Sequence, residues 1–197
     1  KTSLENVTFK AGKHNCSLAT GHTITATKII YCVGYESANM IPEKFVDLIS
    51  TYAIISEVDP ILEKTYKDYL IWDTADPYIY MRSTADGRVL IGGEDEEFRN
   101  PKKRDDLIAK KTQKLLRSFQ SINPTLSFRT DFSWAGTFGV TKDGLPYIGT
   151  HAQFPEAYFV LGFGGNGITF SVTGMEMASA WLKGDSHRLS PYFAFNR

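Results

Sequence analysis

Gly162, Gly164, Gly165 and Gly167 place four glycines in the six positions of the run GFGGNG, and no other spacing in the chain points so directly at chemistry. Glycine at that density is costly in conformational entropy. It is expected where the backbone turns left-handed or where another group comes very close. The residues that follow offer such a group a partner. Asn166, Gly167, Ile168 and Thr169 read as the opening of a helix. Its unpaired amides and the positive end of its dipole would suit a phosphate or a polarised carbonyl oxygen. The same glycines also fit a tight strand-to-helix turn with no ligand.

The flanking elements position this turn. Residues 158–161 (YFVL) are a short continuous apolar run, as expected of a strand buried on both faces. Ile168, Val172, Met175, Ala178 and Leu182 recur at steps of three and four, one stripe of a helix ending at Gly184. Near the other end of the chain, residues 28–33 (KIIYCV) form a β-prone strand that stops at Gly34, a place where a nucleotide or flavin can approach the backbone. The short β-prone pieces at residues 7–9, 17–19 and 23–25 before it read as an antiparallel meander.

From about Ser37 the character changes. Residues 52–58, 69–73, 78–83 and 89–93 are strands rich in Tyr and Ile, with a hairpin turn at Ala85-Asp86-Gly87. Pro101 begins a helix with Asp105 and Asp106 in its first turns, an apolar side of Ile108, Leu115, Phe119 and Ile122, and an end at Asn123-Pro124. Its Lys102, Lys103, Lys110, Lys111 and Lys114 read as a solvated face. Residues 127–134 return as a strand. The glycine-punctuated segment WAGTFGVTKDGLPYIG after it reads as a pocket lining or a connector between domains.

Composition excludes several classes. The 22 basic and 22 acidic residues cancel without long runs of one sign, which argues against nucleic-acid binding. No stretch has the roughly 18–20 apolar residues of a membrane span, and residues 1–10 lack a signal-peptide core. A soluble, cytoplasmic protein is expected. Cys16 and Cys32 form no CxxC pair and the four histidines are scattered, so no metal site is expected. Cys32, inside an apolar run, reads as a buried and inert thiol.

Three separated segments, TATKIIYCVGYES, WAGTFGVTKDGLPYIG and VLGFGGNGITFSVTGMEMASAWLKG, together resemble the FAD-dependent D-amino acid oxidase family, which includes glycine and sarcosine oxidases. The resemblance covers nearly the whole chain. It implies an α+β architecture: residues 1–36 and 141–197 as part of a FAD domain, and residues 37–140 as an antiparallel substrate domain with a flanking helix. The family's N-terminal GxGxxG is missing, so the chain looks like the C-terminal portion of a longer polypeptide. Its implied partners are the N-terminal half of the FAD domain and a small amine or amino acid. FAD would be held by the full-length protein and not by this portion, which alone would be inactive.

The resemblance also implies site residues. Gly164, Gly165, Asn166, Gly167, Ile168 and Thr169 would meet the flavin ring and stabilise negative charge near its C2 carbonyl. Gly34 would pass close to the cofactor from the opposite strand end. The chemistry would be oxidation of a C–N bond to an imine by hydride transfer to flavin, with no protein nucleophile. Amino acid oxidases of the family usually carry an arginine where this chain has Phe138, and glycine oxidases carry another where it has Gly165. Phe138 would therefore suit an amine without a carboxylate at that end. Tyr78 falls where the family has a substrate-site tyrosine, and Arg82 is the nearest candidate cation. The loss of both arginine positions also fits an alternative, a non-catalytic binding or scaffold module that keeps the fold.

Overall fold

The computed structural model describes residues 2–197. In chain order these form strands β1 (Leu4–Lys10), β2 (Lys13–Leu18), β3 (Thr23–Ala26) and β4 (Ile29–Tyr31), a 3-10 turn (Gly34–Asn39), strand β5 (Asp47–Ser56), helix α1 (Pro60–Tyr66), and strands β6 (Leu70–Trp72), β7 (Ile79–Ser83) and β8 (Val89–Glu97). Helices α2 (Pro101–Asp106) and α3 (Ile108–Ile122), strands β9 (Thr130–Val140), β10 (Tyr147–His151) and β11 (Phe154–Leu161), and helices α4 (Gly167–Lys183) and α5 (Ser190–Phe193) complete the α+β chain. It divides into two compact units, one running to Val46 and resuming at Gly139–Arg197, the other Asp47–Phe138.

In the first unit β1, β2 and β3 form the antiparallel meander, and a second sheet has the order β10-β11-β4. The β11–β4 pair is parallel, with Ala157 opposite Ile29 and Phe159 opposite Tyr31. Helix α4 covers one face of that sheet. It can approach because residue 174 is glycine: a Cβ there would lie 2.4 Å from Val160 Cγ1. Ile148, Tyr158, Val160, Met177, Ala178 and Phe193 are the buried core between them, with Tyr158 stacked on Trp181 at 5.0 Å. The other face carries an aromatic cluster in which Tyr31 stacks on Phe159 at 4.8 Å.

Two expectations are corrected here. Of the stripe read on α4, Ala178 is buried, but Ile168 (89%), Met175 (65%), Val172 (53%) and Leu182 (50%) are exposed. The helix is apolar nearly all round, so its spacing alone does not say which side meets the sheet; Gly174 and Met177 decide it. Cys32 is exposed and Cys16 is the buried cysteine. β4 is an edge strand whose alternate residues leave the core, and partial desolvation pushes the Cys32 thiol up, away from reactivity.

The second unit is built on a sheet of order β6-β7-β8-β5-β9, with Tyr52, Ile54, Met81, Val89, Ile91, Leu115 and Phe119 packed under helices α1 and α3. Full burial of each such side chain contributes about 1.5–3 kcal/mol. Helix α1 has no apolar stripe long enough to read from sequence. It is fixed by Asp59, whose carboxylate accepts from the amides of Ile61 and Leu62, and by Pro60 at its first position. The helix expected from Pro101 is broken at Leu107 into α2 and α3.

The lysine face is also corrected. Lys111 is buried, bonded to the Glu94 carbonyl at 2.7 Å and paired with Glu96 at 2.8 Å. The segment WAGTFGV is the second half of strand β9; a Cβ at Gly139 would crowd Val46 at 3.3 Å, while one at Gly136 would meet Thr51 at an ordinary 3.5 Å.

Candidate functional site

Parallel pairing gives β4 and β11 a common C-terminal end, so the Gly34 turn and the turn at residues 162–167 emerge side by side. Ligands of α/β units bind at such ends. Gly34 (φ 59°), Gly162 (φ 74°) and Gly164 (φ 54°) are left-handed, which explains them as backbone requirements. Gly165 and Gly167 are not left-handed. A Cβ at Gly165 would meet nothing within 4 Å, and one at Gly167 would meet Phe163 at an ordinary 3.8 Å. The chain itself therefore places nothing against either position that calls for glycine.

Helix α4 starts at Gly167 with no side-chain cap and no acidic residue in its first turn. The Asn166 amide, expected to be unpaired, instead donates to the Phe163 carbonyl at 3.0 Å. The amides of Gly167, Ile168 and Thr169 begin the helix, where no intrahelical acceptor exists. A groove of about 570 Å³ runs from Gly34 and Phe163 along Ile30, Met175 and Leu182. The arrangement can hold an electron-rich oxygen at the helix start beside an apolar surface.

In the second unit, strand register sorts the sheet into two faces. Ile71 lies opposite Met81, and both face the helices. Trp72 opposite Tyr80 and Leu70 opposite Arg82 therefore face the other way. On β9, Gly136 sits over Thr51, while Ala135 packs on the core and Thr137 meets Arg104 at 2.8 Å. Phe132, Trp134 and Phe138 thus alternate onto the same open face. An antiparallel sheet usually turns polar residues outward; here Trp72 and Leu70 (68% each), Phe132 (62%) and Trp134 (41%) are exposed. These exposed side chains lie on the two edge strands, β6 and β9, and such apolar edges suit an apolar ligand.

Arg82 and Phe138 share this face, but β8 and β5 lie between their strands, roughly 14 Å at the usual strand spacing. Arg82 is exposed and turns Nη1 toward the Ser83 carbonyl at 3.5 Å. Tyr78 precedes β7, and its ring lies 6.3 Å from that of Tyr80. Its phenol is pushed up to about 12 by burial first and then by the charge of Asp95. Burial, then Asp95, also raises Tyr80, while Arg82 opposes the shift.

Asp95 is the residue the sequence reading missed. Simple alternation from Ile91 would point it into the core. Between Tyr52–Gly93 and Ser50–Glu96, however, two steps of β5 are matched by three of β8, a bulge at which Glu94 adopts φ 56°. The extra residue turns Glu94 and Glu96 toward Lys111 on the helix side and Asp95 to the open face with Thr51 and Tyr78, which hydrogen-bond to its carboxylate. Burial raises its pKa, against those hydrogen bonds and the charge of Lys111. The pair Gly92-Gly93 inside a strand was the available signal.

A family model described as FAD dependent oxidoreductase matches residues 2–180. Gamma-glutamylputrescine oxidoreductase of Escherichia coli (strain K12) is 27% identical over 126 residues, 64% of this chain and 28% of that protein. Among solved structures, glycine oxidase from Geobacillus kaustophilus superposes with a TM-score of 0.78 at 19% identity, covering 100% of this chain and 52% of that one. Iminodiacetate oxidase from Chelativorans sp. BNC1 gives 0.79 at 17% identity, covering 95% and 51%. The chain thus spans less than a third of the curated relative and about half of these solved chains. Among the described residues no helix is long and apolar enough to cross a membrane, and no cluster of side chains could hold a metal ion.

Proposed function

We propose, from the premise that this chain belongs to the FAD dependent oxidoreductase family, that it is part of an enzyme oxidising a C–N bond of an amine or amino acid to an imine. The observation that carries the reading is the pair Gly165 and Gly167 at the start of α4, two glycines that neither backbone geometry nor packing within the chain requires. FAD, when bound, supplies the two-electron acceptor. Gly164, Gly165, Asn166, Gly167, Ile168 and Thr169 would hold it at the start of α4, with Gly34 approaching from the neighbouring strand end. There the amides of Gly167, Ile168 and Thr169 and the helix dipole favour negative charge on the oxygen they face.

On this reading the first unit is the flavin-binding part and Asp47–Phe138 the substrate-binding part. The remainder of the FAD domain would come from elsewhere in a longer polypeptide and cover the groove beside β4 and the exposed stripe of α4, so this chain alone would not retain FAD. The open face with Tyr78, Arg82 and Phe138 would bind the substrate. Phe138 provides an apolar wall in place of a carboxylate-binding arginine.

The test is a visible absorption spectrum of the full-length protein, followed by anaerobic titration with simple amines and amino acids. A flavin spectrum bleached by one of them supports the proposal and names the substrate class. A colourless protein refutes it and favours a binding or scaffold role.

A further inference from the structure

The open face of the second unit carries one carboxylate with an unmet acceptor. Asp95 Oδ1 is enclosed by protein and takes no hydrogen bond, although the residue as a whole is half-buried and reaches the face. Thr51 and Tyr78 act on the carboxylate as hydrogen-bond donors, but among the described residues its charge has no ion-pair partner, and a half-buried carboxylate without a counter-charge is costly. The protein's own cations do not supply one. Lys111 acts on Asp95 through its charge but gives its ammonium to the Glu94 carbonyl and to Glu96. Arg82 turns to the Ser83 carbonyl. The Tyr80 ring is held in place: a Cβ at Gly92 would come within 2.2 Å of it, so that ring lies directly on the strand backbone.

We infer that Asp95, with Tyr78 and Tyr80, forms a subsite for an alkylammonium group of the substrate. The carboxylate supplies a charge-assisted acceptor and the rings supply their negative faces. The subsite rests on the assignment of this unit to substrate binding. It adds to that assignment a positive charge on the ligand and a penalty for any ligand carboxylate brought to the same place. The bulge at Glu94 is the device that creates it, because a regular strand would turn Asp95 toward α3.

Calorimetric titration of the full-length protein with butylamine, 1,4-diaminobutane and butyrate tests the inference, in the wild type and in Asp95→Asn. The wild type is expected to bind the amines and not butyrate, and Asp95→Asn to lose on the order of 10- to 100-fold in amine affinity. Tyr78→Phe, which keeps the ring, should retain most of that affinity. Absence of amine binding by the wild type, or equal affinity in Asp95→Asn, overturns the subsite. So does an Asp95→Asn protein that is less stable yet binds the amines as tightly as the wild type, since Asp95 would then be a structural residue. The visible spectrum of the same samples separates this from the flavoenzyme reading: a colourless protein that binds amines through Asp95 refutes the flavin alone, and a yellow protein indifferent to Asp95 refutes the subsite alone.

Discussion

Gly167→Val separates what the chain requires from what a ligand requires. Gly167 is the first residue of α4, and its backbone is not left-handed. The nearest atom to a Cβ there is Phe163 Cδ2 at 3.8 Å, ordinary contact. Valine is a somewhat better helix former than glycine, so the fold should change in stability by no more than about 0.5 kcal/mol. If FAD approaches this backbone, the branched side chain overpacks the contact at a cost of about 1–3 kcal/mol, or about 5- to 150-fold in FAD affinity. Urea denaturation measures the first quantity and quenching of flavin fluorescence by the full-length protein the second. Gly164→Val is the contrast: at φ 54° a valine should cost the fold itself about 1–2 kcal/mol. An unchanged FAD affinity in Gly167→Val, with an unchanged urea midpoint, would show that the turn does not face the cofactor.

Three further outcomes test the packing and electrostatics. Phe119 is fully buried between α3 and the sheet of the second unit, and Phe119→Ala should lower unfolding free energy by about 3–5 kcal/mol in urea. Lys111→Met leaves the Glu96 carboxylate and the Glu94 carbonyl without their partner, while the Glu94 carboxylate keeps Lys114, and it ends a cation–π contact with Tyr52; a loss of about 3 kcal/mol is expected, partly recovered by adding Glu96→Gln. Hydrogen bonds from Arg197 hold the Asp143 carboxyl well below its ordinary value. A depressed carboxyl stabilises the fold above that ordinary value and loses the contribution as pH falls through the lowered one. The deficit of Arg197→Ala should therefore be full near neutral pH and shrink on acidification. It should remain modest, because Asp143 is well exposed. Part of it should persist at every pH through the stacking of Arg197 on Tyr147 and its bonds to the Pro146 and Leu145 carbonyls. A deficit independent of pH would show that the Asp143 pairing contributes nothing.

What was legible in the sequence was what local periodicity and turn chemistry determine. The meander, the Tyr- and Ile-rich strands, the hairpin at Ala85-Asp86-Gly87 and the strand, glycine turn and helix around Gly164 each announce themselves within about ten residues. Lys111 was not legible, because a lysine on a helix reads as solvated until its partners are known, and those lie on β8. The outward stripe of α4 was equally hidden. Ile168, Val172, Met175 and Leu182 have the spacing of a core stripe, yet the buried side is chosen by Gly174, whose missing side chain lets Val160 in.

Asp95 shows the same limit at the site. Period-two alternation carries a strand's faces forward faithfully until a bulge, and one extra residue reverses every assignment after it. The bulge divides the acidic run from Glu94 to Glu97. Glu94 and Glu96 face the buried Lys111, and Asp95 turns to the side of Thr51 and Tyr78. The two groups have opposite consequences. A carboxylate already matched by Lys111 adds to the fold and is closed to a ligand, whereas one denied a matching cation is costly to the fold until a ligand brings the charge. On the inferred subsite, the β8 carboxylate that the fold leaves without a counter-charge is the one that would take the ligand's charge.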